Sequence, residues 1–250
     1  MSDFRVELTL AIGFLTRLRL PSVPYSDAAM ARAVRWYPAI GLGIGIVLAV
    51  LFLGLAALVP KSVAALITIC AGMLLTGALH EDGLADLADG LGGSPDKDRA
   101  LEIMRDSRIG TYGVLALGMT LALKITALTS LPPVSAAVAI VAGHSFGRFA
   151  ILWLMDRLPY ARSDGAANFM SGDQRLDMKL AWSTILVTLV LVAMTVGFIA
   201  AIATVLATLA LTSLLANKLR RRFGGYTGDA LGASEQLVEA LVPLVFLACL

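Results

Sequence analysis

From Leu180 to Asn217 the chain runs for 38 residues without a charged side chain. As one helix, at about 1.5 Å per residue, this stretch would be about 57 Å long, nearly twice the roughly 30 Å of hydrocarbon in a bilayer. It reads as two crossings, with the turn expected near Gly197 to Ala201. Other runs qualify in the same way: Ala39 to Val59, Val63 to Leu79, Gly110 to Ser130 with Lys124 inside it, and Val134 to Met155 with His144 and Arg148 inside it. Ala230 to Leu250 is long enough if Glu235 and Glu239 enter the membrane edge. A chain surrounded by lipid must satisfy its own backbone hydrogen bonds, which helices do. The expectation is an all-α, polytopic integral membrane bundle of about seven transmembrane helices, in a single membrane-embedded domain over 1–250. An apolar share of 58% agrees, since soluble domains hold roughly 45–50%.

Lysines and arginines near span ends favour the cytoplasmic side. With the N terminus cytoplasmic, that side collects Arg5, Arg17, Arg19, Arg32 and Arg35, then Lys97, Arg99, Arg105 and Arg108. It also collects Arg157, Arg162, Arg175 and Lys179, and finally Lys218, Arg220, Arg221 and Arg222, leaving only Lys61 outside. Segment 1–37 is expected to lie in the interface, and segments of about 80–109, 156–179 and 217–229 to be cytoplasmic loops. All the acidic residues fall on or near this side, so chemistry is expected there. The formal net charge of +2 is too segregated to point to a nucleic acid partner. Cys70 and Cys249 sit in apolar runs and form neither a disulfide framework nor a metal pair. The N-terminal stretch mixes basic with apolar residues and lacks the pattern of a cleaved signal peptide.

The carboxylates concentrate in LHEDGLADLADGLGG, Leu79 to Gly93. Residues four and seven apart return to one helical face, so Asp82, Asp86 and Asp89 form a stripe while Glu81 points elsewhere. Like charges at this spacing repel, and something positive is expected against them. Mg²⁺ suits oxygen ligands and is usually held by one or two carboxylates together with substrate phosphates. The other reading is a solvated helix end paired with nearby arginines. Gly83, Gly90, Gly92 and Gly93 hint at a close backbone approach.

Three further stretches carry candidates. MRDSRIGTYG offers Arg105 and Arg108, which fit phosphate oxygens or simply obey the positive-inside preference. GHSFGRFA puts Arg148 in an apolar span, where an ionisable group is a functional candidate unless it snorkels to the interface. His144, one turn earlier, suits a proton carrier, a ligand or a packing residue. In GYTGDALGASEQLVEAL, Asp229 opens the last span among small residues; acids there are also favoured by the helix dipole, which is the reading taken for Glu239.

These stretches, with FLTRLRLP, RWYPAIGLGIG and PYAR, together resemble cobalamin synthase, the adenosylcobinamide-GDP ribazoletransferase family, over nearly the whole chain. The resemblance implies a Mg²⁺-dependent enzyme of the bacterial inner membrane with its active site facing the cytoplasm. It would join adenosylcobinamide-GDP to α-ribazole or its 5′-phosphate and release GMP. Asp82, Asp86 and Asp89 would hold the metal and diphosphate, with Asp86 or Asp89 also able to take the hydroxyl proton. Arg105, Arg108 and Arg148 would bind phosphates, Asp229 would be a second carboxylate, and His144 an acid or base. A CDP-alcohol phosphotransferase also uses face-aligned aspartates, but its alanine-arginine pair is missing from DGLADLADG. A cation- or proton-coupled transporter would place its ionisable groups near the midplane, between repeated halves. Membrane lipid is an expected neighbour; the oligomeric state is open.

Overall fold

The computed structural model describes residues 3–162 and 176–250. Arg175, counted above among the basic residues of one side, lies outside the described residues. Apart from one isolated bridge between Tyr160 and Tyr226, the regular structure of the described residues is helical. A short α1 (Asp3–Leu15) and α2 (Asp27–Ala33) lead through a 3-10 turn into α3 (Tyr37–Ala56). Then follow α4 (Lys61–Thr76), α5 (Leu79–Gly93), α6 (Lys97–Ile103), α7 (Thr111–Ser130) and α8 (Pro133–Arg157). The last three are α9 (Lys179–Thr195), α10 (Phe198–Phe223) and α11 (Gly228–Cys249).

Five stretches are long and apolar enough to cross a membrane: Asp27–Ala56, which contains α3, and the helices α7, α8, α10 and α11. Among them is the C-terminal segment with its two glutamates. The shorter α4 and α9 complete the seven segments expected from hydropathy, and the long uncharged run breaks at Val196 and Gly197. Connections as brief as 57–60, 131–132 and 196–197 make their flanking helices antiparallel neighbours. Two differences are plain: the stretches read as loops of about 80–109 and 217–229 are mostly helix, the first in α5 and α6, the second in the end of α10 and the start of α11.

α8 is the hub. Its small residues let neighbours approach to backbone distance, which substitutes van der Waals packing for a hydrophobic drive that lipid does not supply. A Cβ at Gly45 of α3 would stand 2.7 Å from Val141 Cα, and one at Gly143 of α8 only 3.3 Å from Glu239 Cα in α11. Between α4 and α5 the chain turns by 91°. Gly77 (φ 69°) and Ala78 (φ 55°) make this corner with two successive left-handed residues, a conformation that costs a non-glycine residue roughly 1–2 kcal/mol. Arg17 covers it, its backbone N–H donating to Leu75 O at 2.7 Å. Because of the corner, α5 does not continue the crossing of α4 but lies over the N-terminal ends of α7 and α11.

Candidate active site

The contact of α5 with α11 is made by glycines. A Cβ at Gly83 would come within 2.8 Å of the Asp229 carbonyl oxygen, and one at Gly232 within 3.1 Å of His80 Cα. This closeness brings the carboxylates of Asp82, Asp86 and Asp229 into one electrostatic neighbourhood. Asp229 is fixed from behind by Arg162, whose Nη2 donates to Oδ2 at 2.8 Å. Arg162 owes its place to the Tyr160–Tyr226 bridge, where Tyr226 N–H donates to Pro159 O and Ala161 N–H to Tyr226 O. The sequence offered Arg162 as part of PYAR and as one of the basic residues on the cytoplasmic side, with no role in the site attached.

Asp82 and Asp86 border an open cavity of about 470 Å³ whose other walls include Glu81, Met104, Arg105, Asp106 and Ser107. A second cavity of about 140 Å³ lies on the other flank of α5, and Asp82 borders that one too. Burial pushes the Asp86 carboxyl up to about 7, helped by the negative charges of Asp82, Asp229 and Asp89 and opposed by Arg162. Carboxylates crowded enough to keep a proton near neutrality have the chemistry to take a hard divalent cation in its place.

The three aspartates of the stripe are not equivalent. Asp89 is buried, and both its oxygens accept backbone N–H bonds, from Gly110 at 2.7 Å and Gly113 at 2.9 Å. It caps α7, where the unpaired amides of a helix N terminus favour a negative charge. Asp89 thereby ties the RIGTYG segment to α5, and does not line the cavity that Asp82 and Asp86 share. Of the two arginines expected nearby, Arg105 lines that cavity. Arg108 is turned out to solvent and forks onto Asp106, with Nη2 to Oδ2 at 2.6 Å.

His144 and Arg148 belong elsewhere. The Arg148 side chain is 1% exposed, and its Nη1 donates to Glu235, to Glu239 at 3.1 Å and to His144 O at 3.1 Å. His144 Nδ1 meets Glu239, and Lys124 Nζ donates to Glu239 at 2.7 Å and Gln236 at 2.6 Å. Gln236 in turn donates to Glu81 at 3.1 Å and Glu235 at 3.0 Å. Arg148 is thus engaged by buried carboxylates and not offered to phosphate as the sequence suggested. Nor is Glu239 merely a dipole partner: eleven residues into α11, it lies about 17 Å from the helix start, some half of the hydrocarbon depth. The expectation that all acids sit at one face is corrected accordingly. His144, Glu235 and Glu239 offer ligand atoms within 4.8 Å of one another, but Arg148 and Lys124 already supply the opposing charge. Lys124 inside an apolar span and two glutamates one turn apart were the legible signs; nothing in one sequence says that they meet.

A sequence model described as cobalamin-5-phosphate synthase matches residues 7–247. A protein of Rhizobium etli (strain CIAT 652) named adenosylcobinamide-GDP ribazoletransferase is 39% identical, covering 96% of this chain and 95% of its own. Proteins with that name from Shewanella amazonensis and Vibrio cholerae serotype O1 are 38% and 37% identical, each covering 99% of this chain and 98% and 95% of their own. No solved structure matches.

Proposed function

The chain belongs to the cobalamin-5-phosphate synthase family, and from that premise we propose that this transferase joins adenosylcobinamide-GDP to α-ribazole or its 5′-phosphate. The acceptor's ribose hydroxyl oxygen bonds to the phosphorus next to the cobinamide, the phosphoanhydride bond breaks, and GMP leaves. The hydroxyl proton passes to a carboxylate of the site that does not hold the metal, for which Asp229, on the acceptor side, is the one placed. The single observation that carries this reading is the meeting of Asp82 and Asp86 with Arg105 around one open cavity. Phosphoryl transfer is dominated by positioning and by neutralising the charge that spreads over phosphate oxygens. Asp82 and Asp86 would hold Mg²⁺, whose chemistry when bound is to neutralise diphosphate charge. Arg105 would orient the phosphates, while Asp89 keeps its segment in place by binding the amides of Gly110 and Gly113. Asp229, held by Arg162, would face the acceptor side. The cavity would open on the cytoplasmic face of the bacterial inner membrane, a reading supported by the positive-inside preference of the lysines and arginines in the connecting segments.

The test uses detergent-purified protein with Mg²⁺, adenosylcobinamide-GDP and α-ribazole 5′-phosphate, scoring GMP and the corrinoid product. Asp82→Asn and Asp86→Asn are each expected to lower turnover by about a thousandfold or more, with membrane insertion unchanged, because each removes charge at the metal and phosphate site. Full activity in both variants, or release of CMP from a CDP-alcohol in place of GMP, refutes the proposal.

A further inference from the structure

The smaller cavity on the far flank of α5 has no part in the donor site described above. Phe14 and Tyr37 form one wall, their rings stacked 5.9 Å apart at 12° to each other. Ile151, Met155, Leu79 and Leu231 add apolar surface. Its polar groups are few: Asp82, Asp229, His80 and the Tyr37 hydroxyl. Tyr37 is 2% exposed and its hydroxyl has no hydrogen-bond partner. His80 is 3% exposed, and its Nδ1 likewise has none, standing 3.7 Å from Glu235. A buried polar atom without a partner costs about 1–3 kcal/mol, so the Tyr37 hydroxyl marks where a ligand atom belongs on this wall, whereas His80 Nδ1 faces Glu235 in the buried network.

We propose that this cavity is the acceptor site. It takes a nucleoside whose base is a flat, apolar heterocycle without a hydrogen-bonding edge of donors, lying along the Phe14–Tyr37 wall. The ribose hydroxyls then reach toward Asp82 and Asp229 at the rim. The inference rests on the transfer reaction proposed above, and it adds the direction of attack. Asp82 borders both cavities, so the acceptor hydroxyl approaches from one flank of α5 and the donor diphosphate lies on the other. The glycine contact of Gly83 with Asp229 is what keeps the partition thin enough for them to meet. The lining of this cavity holds two carboxylates and no lysine or arginine, so a diphosphate is repelled from it, which assigns the GDP end to the larger, arginine-bearing side. A lipid tail would fill the apolar volume and leave the Tyr37 hydroxyl unsatisfied, whereas a ring nitrogen of the base that carries no hydrogen can accept from it.

The experiment measures equilibrium binding of α-ribazole to the purified full chain in EDTA, and separately the KM of each substrate in the complete reaction. Phe14→Ala and Tyr37→Phe both spare the fold, since Phe14 is 36% exposed and the second change keeps the ring. Each is expected to weaken nucleoside binding, Phe14→Ala by about tenfold, and to raise the acceptor KM while leaving the KM for adenosylcobinamide-GDP unchanged. Arg105→Ala should do the reverse. Unchanged nucleoside affinity in both aromatic variants, or a rise in donor KM in their place, overturns the inference while the transfer reaction stands. A photoactivatable phospholipid that crosslinks at position 14 and is not displaced by α-ribazole also overturns it. Absence of GMP release from the wild-type chain defeats the underlying reaction instead.

Discussion

At the scale of single residues, pH and the proposed Mg²⁺ would act on the same group. The Asp86 carboxyl, raised from 3.8 to about 7 by burial and its acidic neighbours, binds its proton more tightly in the folded chain than in the unfolded one. Its contribution to stability is therefore full below pH 3.8 and is lost as pH rises through about 7. A divalent cation bound there would reverse that loss by replacing the proton. In detergent, the rise in melting temperature on adding Mg²⁺ is expected to be larger at about pH 8 than at about pH 6, and Asp86→Asn should flatten the difference. Equal shifts at both pH values would show that Asp86 does not contact the ion. Asp89 answers to other forces. The helical period predicts the face it shares with Asp82 and Asp86, but its partners Gly110 and Gly113 lie 21 and 24 residues on. No periodicity within α5 could reveal a cap made for another helix.

Among the elements, α5 is the one whose placement decides the chemistry. Its face pattern was legible, as was the hint that its glycines admit a close backbone. The corner at Gly77 and Ala78 was not, because a non-glycine residue at φ 55° is imposed by tertiary packing against the local preference. The apolar run before it looked like one crossing that simply ended. Gly83 and Gly232 hold α5 on α11, so Gly83→Leu must lift the two helices apart and part Asp82 from Asp229. Turnover should fall by about a hundredfold, as expected when reacting groups are misplaced by about 1 Å. Gly43, beside which a Cβ meets nothing within 4 Å, serves as the comparison, and Gly43→Ala should leave turnover intact. Equal rates in the two variants would remove the packing argument.

For the whole molecule, hydropathy marked the apolar helices, five of them long enough to cross a membrane, and charge predicts which ends face the same side. Ser107 borders the Asp82–Asp86 cavity, whereas Ser62 stands beside Lys61, whose Nζ donates to Leu131 O at 3.0 Å at the opposite end. With the native cysteines replaced, a membrane-impermeant maleimide is expected to label Ser62→Cys in intact cells and Ser107→Cys only in inverted vesicles. The opposite pattern would put the site outside. What neither hydropathy nor charge disclosed is the polar network at half depth, because Lys124 and Glu239 are 115 residues apart. That separation has a consequence for how the chain is made. Lys124 leaves the ribosome long before the helix that neutralises it, and an ammonium at the centre of a lone helix disfavours insertion by about 2.5–3.5 kcal/mol. Glu81 of α5 is the one acid of this network already synthesised when α7 emerges, so a nascent chain that stalls short of Gln236 holds its ammonium in oil with only part of the opposing charge.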